Sequence, residues 1–494
     1  MAASVPVPQA ASHRKDSVLL VVTLGLLAVG LRLWHLNCQS ATMDEVAELF
    51  LVSRTVTEII HTQDGFPPLY HLLLKGWLAV LGPDTARWLS VLCGLALIPV
   101  IWHLGKLIGG PRTAWTAAFL AAISPVHVWY AQEARANVLF YFLVVSAVYF
   151  FFRAMEEARR RDWVWYGVTA LLGLYTHYYF SLVIAGLLAT VPLFPGARRR
   201  FPALVRIHLL LAFLSLPWIW LLIPDLGLQS GYAAPHVPLN LKAIGYTLVT
   251  FLFGFSVGPS LRELHVSRSG ETLLQAIPWA IAAVAVCLLA LLAGWRDLAS
   301  RRWALRLGIV ILVPIAVCGL AAALLDLGFR VRYVAWGASL LLVLLAAGIV
   351  RGGRAAVVSA GLLVSLSLFS LTNRFWNPRY SNEDTRSAAR YLATVSSSST
   401  PVFVTSGYMA GALAYYLVEP WQPRALPDLA GSGPGTALEE IQAEAGAGQT
   451  FWLVYTRPWD GDPGGRLREQ LESKASLQLR AEWPGVQLYE GRGW

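Results

Sequence analysis

Hydrophobic residues in the first three quarters of the chain run in long blocks rather than at a strand or amphipathic-helix period. Blocks near the length of a bilayer's apolar core fall at 17–36, 87–106, 114–130, 137–153, 163–176, 180–195, 206–224, 273–294, 304–325, 333–350 and 355–374. This pattern predicts an α-helical polytopic membrane protein with about eleven transmembrane helices. The stretch 163–195 carries no charge, yet both of its flanks, Arg159–Arg161 and Arg198–Arg200, are basic. Flanks on one side require an even number of crossings, so the stretch is expected to be a short-armed hairpin turning at Thr176-His177-Tyr178-Tyr179. At 1.5 Å per residue its arms are shorter than the core is thick. The tip, with His177, should therefore lie recessed, where polar backbone needs a protein or wet surround.

The pattern changes after residue 374. Short β-rich runs at 402–406, 451–456, 477–479 and 486–489 alternate with helical patterns at 384–395, 408–418, 437–445 and 465–475. We therefore divide the chain into a transmembrane part, 1–374, with interfacial helices at about 42–82, and a small α/β domain, 375–494.

Charge sets the orientation. The net charge of +10 suggests nucleic acid until its distribution is seen. Basic clusters lie before the first block and after alternate later ones: Arg14/Lys15, Lys106/Arg112, Arg153 with Arg159–Arg161, Arg198–Arg200 with Arg206, Arg296/Arg301/Arg302/Arg306, and Arg351/Arg354. The positive-inside rule assigns them to the cytoplasmic face, so no nucleic-acid partner is expected. The N-terminus is placed inside and the C-terminal domain outside. Leu31-Arg32-Leu33-Trp34 offers no small-residue cleavage site, so the first block reads as a retained span. Charged residues make up 14% and hydrophobic ones 56%, which excludes both a soluble globule and a disordered chain. Cys38, Cys93, Cys287 and Cys318 are scattered, with neither a disulfide framework nor a zinc spacing.

Residues able to do chemistry collect in the outer segments: Asp44, Glu45 and Glu48; His61, Asp64, Tyr70, His71 and Lys75; Gln132, Glu133 and Arg135; His177; and Arg330, Arg332 and Tyr333. Thr42-x-x-Glu45 is a capping box, which gives Glu45 a structural explanation. Asp44, in the same first turn, is a candidate general base at the membrane boundary. The helix dipole would keep it ionised, and burial would oppose that. Lys75 and Arg87 are candidate phosphate contacts that also suit headgroup snorkelling. Glu133 and Arg135, after Val128-Trp129-Tyr130-Ala131, must face protein or water, and a structural ion pair explains them equally. Arg332-Tyr333 divides between bidentate phosphate binding and anchoring. His177 divides between packing and catalysis. Asp460-Gly461-Asp462 resembles a metal-nucleotide motif but runs into Pro463-Gly464-Gly465, so a turn accounts for it. No nucleotide-binding or zinc-protease motif is present.

Four motifs in order, Asp44-Glu45, Pro67-Pro68-Leu69-Tyr70, Tyr130-Ala131-Gln132-Glu133-Ala134-Arg135 and Arg332-Tyr333, resemble bacterial glycosyltransferase family 39 and its relatives. These include protein O-mannosyltransferases and lipid A aminoarabinose transferases, and the resemblance covers roughly 15–350. In many relatives an aromatic stands where this chain has Asn137, with Tyr141 the nearest tyrosine. The resemblance implies the GT-C fold and a glycosyltransferase of a bacterial inner membrane. It implies a polyprenyl-phosphate-linked sugar donor, a lipid, glycan or protein acceptor, and inversion on the extracytoplasmic side. Asp44, with Glu45, would be catalytic. Arg135, Glu133, Arg332, Tyr333, His177, Tyr70 and Lys75 would bind substrate. No cofactor is certain; a divalent cation is left open, with Glu133 and Asp44 as its candidate ligands. Two other classes also stay open: a multi-span transporter, and a non-catalytic membrane scaffold with an outward partner-binding domain.

Overall fold

The computed structural model describes residues 9–61, 67–222, 239–266, 270–294, 298–324, 329–417, 420–427, 429–446 and 448–492. Asp64 and Arg296 lie outside the described residues.

Helix α1 (Gln9–Leu33) leads to three short helices, α2 (Met43–Ser53), α3 (Val56–Ile60) and α4 (Leu69–Leu81). These occupy the segment expected to lie at the interface. The Thr42 hydroxyl accepts from the Glu45 N–H while the Glu45 carboxylate accepts from the Thr42 N–H, so the capping box starts α2 as the sequence requires. Helix α5 (Ala86–Ile123) merges two expected spans, because non-helical Gly110 folds it double. Its two arms pass so closely that a Cβ on Gly105 would lie 3.0 Å from the Cα of Ala114. After α6 (Pro125–Ala131) come α7 (Asn137–Glu157), α8 (Arg160–Leu174), α9 (Phe180–Ala189) and α10 (Ala197–Leu222). Residues 175–179 turn between α8 and α9 where the hairpin tip was expected.

Helix α11 (Leu241–Phe253) has no counterpart in the sequence reading. At 13 residues it is too short to register as a span, and it packs against α6, α13, α15 and α16. The bundle continues through α12 (Leu261–Val266), α13 (Gly270–Gly294), α14 (Leu298–Leu324), α15 (Gly337–Val350) and α16 (Arg354–Trp376). Six helices among the described residues are long and apolar enough to cross a bilayer, the doubled α5 among them, and five apolar ones are shorter. The bundle core forms around α7, where Tyr141, Phe151 and Phe152 meet Tyr166, Phe180 and Trp336.

Beyond the bundle, α17 (Thr385–Val395) precedes a five-stranded sheet of order β2-β1-β3-β5-β4. The strands are β1 (Val402–Val404), β2 (Arg424–Ala425), β3 (Thr450–Thr456), β4 (Ser476–Trp483) and β5 (Val486–Arg492). β1 runs parallel to β2 and β3, while β5 is antiparallel to β3 and β4. The two-residue β2 carries no β-rich run, so the sequence does not announce it. Helix α18 (Ala410–Ala414) is shorter than its pattern suggested and α19 (Leu429–Ala445) is longer; α20 (Pro458–Gly461) and α21 (Arg466–Lys474) follow. One sheet face packs on α17 and α18, and that same core takes in Val46 of α2. The other face packs on α19 and α21.

Candidate active site

Asp44 is the second residue of α2, and about half of its side chain remains open, at 54% exposure. Arg332, from the turn before α15, donates from Nη1 to Asp44 Oδ2 at 2.9 Å. Arg135, from the loop between α6 and α7, donates from Nη1 to the Asp44 carbonyl at 2.9 Å, and its Nη2 lies 3.9 Å from Asp44 Oδ2. Burial works to raise the Asp44 pKa, but Arg135, Arg332 and Arg457 outweigh it and hold the carboxyl below its usual 3.8. The site therefore presents an ionised carboxylate against fixed guanidinium groups.

An aromatic wall adjoins these arginines. Tyr333 stacks on Tyr179 with ring centres 4.6 Å apart, and the Arg332 guanidinium lies 5.4 Å from the Tyr333 ring. His177, at the hairpin tip, stacks on Phe140 at 4.9 Å and meets Tyr333 edge-on at 6.1 Å. The fold thus brings together Asp44, Arg135, Arg332, Tyr333 and His177 from four separated segments.

Glu133 is close but turned. Its Oε1 accepts from Trp129 Nε1 at 2.6 Å, and the Arg374 guanidinium lies 3.8 Å from the same Trp129 ring. Burial, then the neighbouring Glu45 charge, raises the Glu133 pKa to about 7 against the pull of Arg374 and Arg135. The divalent-cation idea finds no fit here. Glu133 engages Trp129, Asp44 faces arginines, and no group of three or more His, Cys, Asp or Glu able to hold a metal occurs among the described residues.

Four of the expected residues are bonded within the fold. Glu45 is buried and saturated: Arg87 binds it through Nε at 2.7 Å and Nη2 at 2.9 Å, and the Ala134 and Thr42 N–H groups complete its acceptors. This carboxylate ties α2, α5 and the Gln132–Arg135 loop together. Arg87 is spent on the same bond and on the carbonyls of Leu36 and Ser40, so it is no free phosphate contact. Tyr70 is fully buried, its hydroxyl 3.1 Å from Ser90 Oγ, which in turn donates to the Arg135 carbonyl at 3.4 Å. It supports the arginine loop from behind. Lys75 donates to the carbonyls of Val52 and Arg54 at 3.0 and 2.7 Å, capping the end of α2 opposite Asp44.

The sequence reading named Glu48 and His71 but gave them no partnership. They form a buried pair, Glu48 Oε1 to His71 Nδ1 at 2.5 Å. The available signal was spacing, since Glu48 stands four residues after Asp44 on α2. Where the sequence suggested a turn at Asp460-Gly461-Asp462, Asp460 and Gly461 end the short helix α20 and Asp462 stands at its C-cap. Asp462 accepts from the N–H groups of Leu467 and Arg468, and Asp460 accepts from Tyr408.

Comparison with known proteins bears on the fold. Residues 66–222 match the family model described as dolichyl-phosphate-mannose-protein mannosyltransferase. No curated protein matches the chain by sequence. ArnT from Cupriavidus metallidurans, in its apo state, superposes with a TM-score of 0.60 at 13% identity, covering 97% of this chain and 98% of that one. The oligosaccharyltransferase of Archaeoglobus fulgidus, in complex with zinc and sulfate, gives 0.53 at 13% identity, over 89% and 68%. AglB of the same organism, in complex with an inhibitory peptide and a dolichol-phosphate, gives 0.53 at 13% identity, over 89% and 69%. The chain is a multi-span membrane protein with the GT-C fold of these transferases. Its likeness within that class is to glycosyltransferase family 39, as the four motifs implied.

Proposed function

We propose that this protein transfers a monosaccharide, with inversion, from a polyprenyl-phosphate donor to an acceptor hydroxyl on the extracytoplasmic side of a bacterial inner membrane. The observation that carries the reading is the Asp44 carboxylate set against Arg332 and Arg135, which reach it from distant segments. Dolichol-phosphate in the AglB complex, and the lipid-phosphate sugar in the matched family's description, support a lipid-linked donor.

In the reaction, Asp44 takes the acceptor's hydroxyl proton as the oxygen attacks the anomeric carbon. The bond from that carbon to the phosphate oxygen breaks, its electron pair stays on the oxygen, and polyprenyl phosphate leaves. Negative charge grows on the leaving phosphate. Arg332 and Arg135, already fixed in place, then interact more strongly with the transition state than with the ground state. Tyr333 and Tyr179 offer a flat apolar face for the sugar ring, with His177 at its edge.

The test is transfer of radiolabelled sugar from polyprenyl phosphate to a panel of lipid, glycan and peptide acceptors by the purified protein. Asp44→Asn should lower turnover by about 100-fold or more. Equal turnover by the variant removes Asp44 as the base.

A further inference from the structure

Between Cys38 and the start of α2 the chain is neither helix nor strand, so its backbone groups must find partners elsewhere. Side chains supply them, from two sides. From the bundle, Arg87 of α5 donates to the Gln39 and Ser40 carbonyls, both at 3.3 Å. From the C-terminal unit, Arg386 Nη2 donates to the same Gln39 carbonyl at 3.0 Å, and Asn382 Nδ2 to the same Ser40 carbonyl at 2.9 Å. Arg386 Nη1 adds the Asn37 carbonyl at 2.9 Å, and the Tyr416 hydroxyl accepts from the Ala41 N–H at 2.7 Å. On both shared carbonyls the bond from the C-terminal unit is the shorter one.

Ser40 completes the joint. Its side chain is buried, and its hydroxyl sits at the N-terminus of α17. The hydroxyl donates to Asp384 Oδ1 at 2.7 Å and accepts from the Arg386 N–H at 3.2 Å. Asp384 is the cap of α17, and the same Oδ1 accepts from the Ser387 N–H at 3.1 Å. One hydroxyl thus ties the lead-in of α2 to the first turn of a helix 344 positions further on. The Arg386 guanidinium lies 5.3 Å from the centre of the Tyr416 ring, so the two groups that hold residues 37–41 brace each other. Apolar packing carries the joint past the cap of α2. Met43 and Val46, on either side of Asp44, lie in one cluster with Met409 and Leu413, and a Cβ on Gly411 of α18 would stand 3.8 Å from Met43 Cε.

We propose that Arg386 and Ser40 are positioning residues for Asp44, so that the C-terminal unit, together with the bundle, fixes the reach of the base. This rests on Asp44 being the base of the proposed reaction. In that reaction Arg332 and Arg135 turn their charge toward the leaving phosphate. The same two arginines hold Asp44 in the resting site, one by its carboxylate and one by its carbonyl. A hold for which the phosphate competes cannot by itself keep the carboxylate on the acceptor hydroxyl. The joint through residues 37–41 grips the backbone ahead of Asp44 and stands outside that competition. A displacement of about 1 Å in a reacting group costs up to about 100-fold in rate, so even a small slackening of the joint is visible in turnover.

Transfer assays and hydrogen–deuterium exchange on the full-length protein in detergent micelles test this together. Arg386→Gln and Ser40→Ala should each lower kcat about tenfold, with donor and acceptor KM within about twofold and Tm within a few degrees of wild type. Arg386→Lys keeps the charge and loses the fork that reaches two carbonyls, so its kcat should stay within about threefold of Arg386→Gln. Peptides spanning 36–46 should exchange about three- to tenfold faster in Arg386→Gln, while the β3–β5 strand pair keeps the wild-type rate. Ser40→Ala removes a single oxygen, which covers the case where Arg386→Gln does not fold. A wild-type kcat in either variant overturns the proposal. A fall in kcat with equal loss of protection in β3 and β5 overturns it as well, because that marks general loosening. Exchange needs no turnover. Absence of sugar transfer by the wild type would remove the proposed reaction, whereas unchanged exchange over 36–46 would remove the joint and leave that reaction standing.

Discussion

Arg332 Nη1 donates to Asp44 Oδ2 at 2.9 Å although the two residues stand 288 positions apart. Both side chains are partly open, at 33% and 54% exposure, so the bond adds little to stability, at most about 1 kcal/mol. In the proposed reaction it belongs to the site's chemistry. Arg332→Ala should lower kcat/KM for the lipid-linked donor by about 100-fold or more while leaving the thermal unfolding midpoint within a few degrees. Arg332→Lys should recover little, because a compact ammonium does not reproduce the planar fork. Steady-state transfer assays and a melt on the same preparations check both halves.

Glu45 and Arg87 predict the reverse split. Their side chains are 2% and 9% exposed, so removing one partner strands a buried charge. Arg87→Met should cost about 3–5 kcal/mol, and the double variant Glu45→Met with Arg87→Met should recover much of that loss. The Glu45 pKa lies below its usual 4.5, because Arg87 and the N–H donors of Ala134 and Thr42 overcome the opposing effect of burial. A depressed carboxyl stabilises the fold above its unfolded value and loses that contribution on acidification. Wild-type stability should therefore fall as pH drops through about 4.5, with a shallower slope in the double variant. Thermal unfolding in detergent between pH 3 and 7 measures this.

How much of this was legible in the sequence depended on the range of the interactions. The apolar blocks and the Thr42–Glu45 box are local, and the structure contains both. The motifs carrying Asp44, Arg135 and Arg332 were legible as residues, and their meeting was legible through resemblance. Tyr70, Lys75 and Glu45 share that motif neighbourhood, and nothing local separates a side chain facing the chamber from one capping or bracing a helix. Helix α11 was missed because a short buried helix has no bilayer-length signature.

Glu133 predicts a pH response near neutrality. Its pKa stands at about 7, so it is neutral below that pH and charged above it. Once charged, it competes with a donor phosphate for the field of Arg135. The donor KM should therefore rise, by about two- to fivefold, as pH passes from 6 to 8. Asp44 contributes nothing to this change, being ionised throughout. Glu133→Gln should flatten the profile at the low-pH value. A persistent inflection in the variant would assign the titration to another group.

Lys75 separates a binding role from a structural one. A phosphate ligand has its ammonium free in the chamber, whereas Lys75 is bound to the Val52 and Arg54 carbonyls at the far end of α2 from Asp44. A cation at a helix C-terminus satisfies unpaired carbonyls and opposes the dipole's negative end. Lys75→Met should therefore cost about 0.5–1.5 kcal/mol of stability, with the donor KM and kcat within about twofold of wild type. If the donor KM instead rises tenfold while the melt is unchanged, the lysine leaves the helix to meet the donor phosphate. Lys75→Arg tests the same point by another route, because a guanidinium can cap α2 as well, so stability should be kept in either case and only the donor KM would distinguish the two roles.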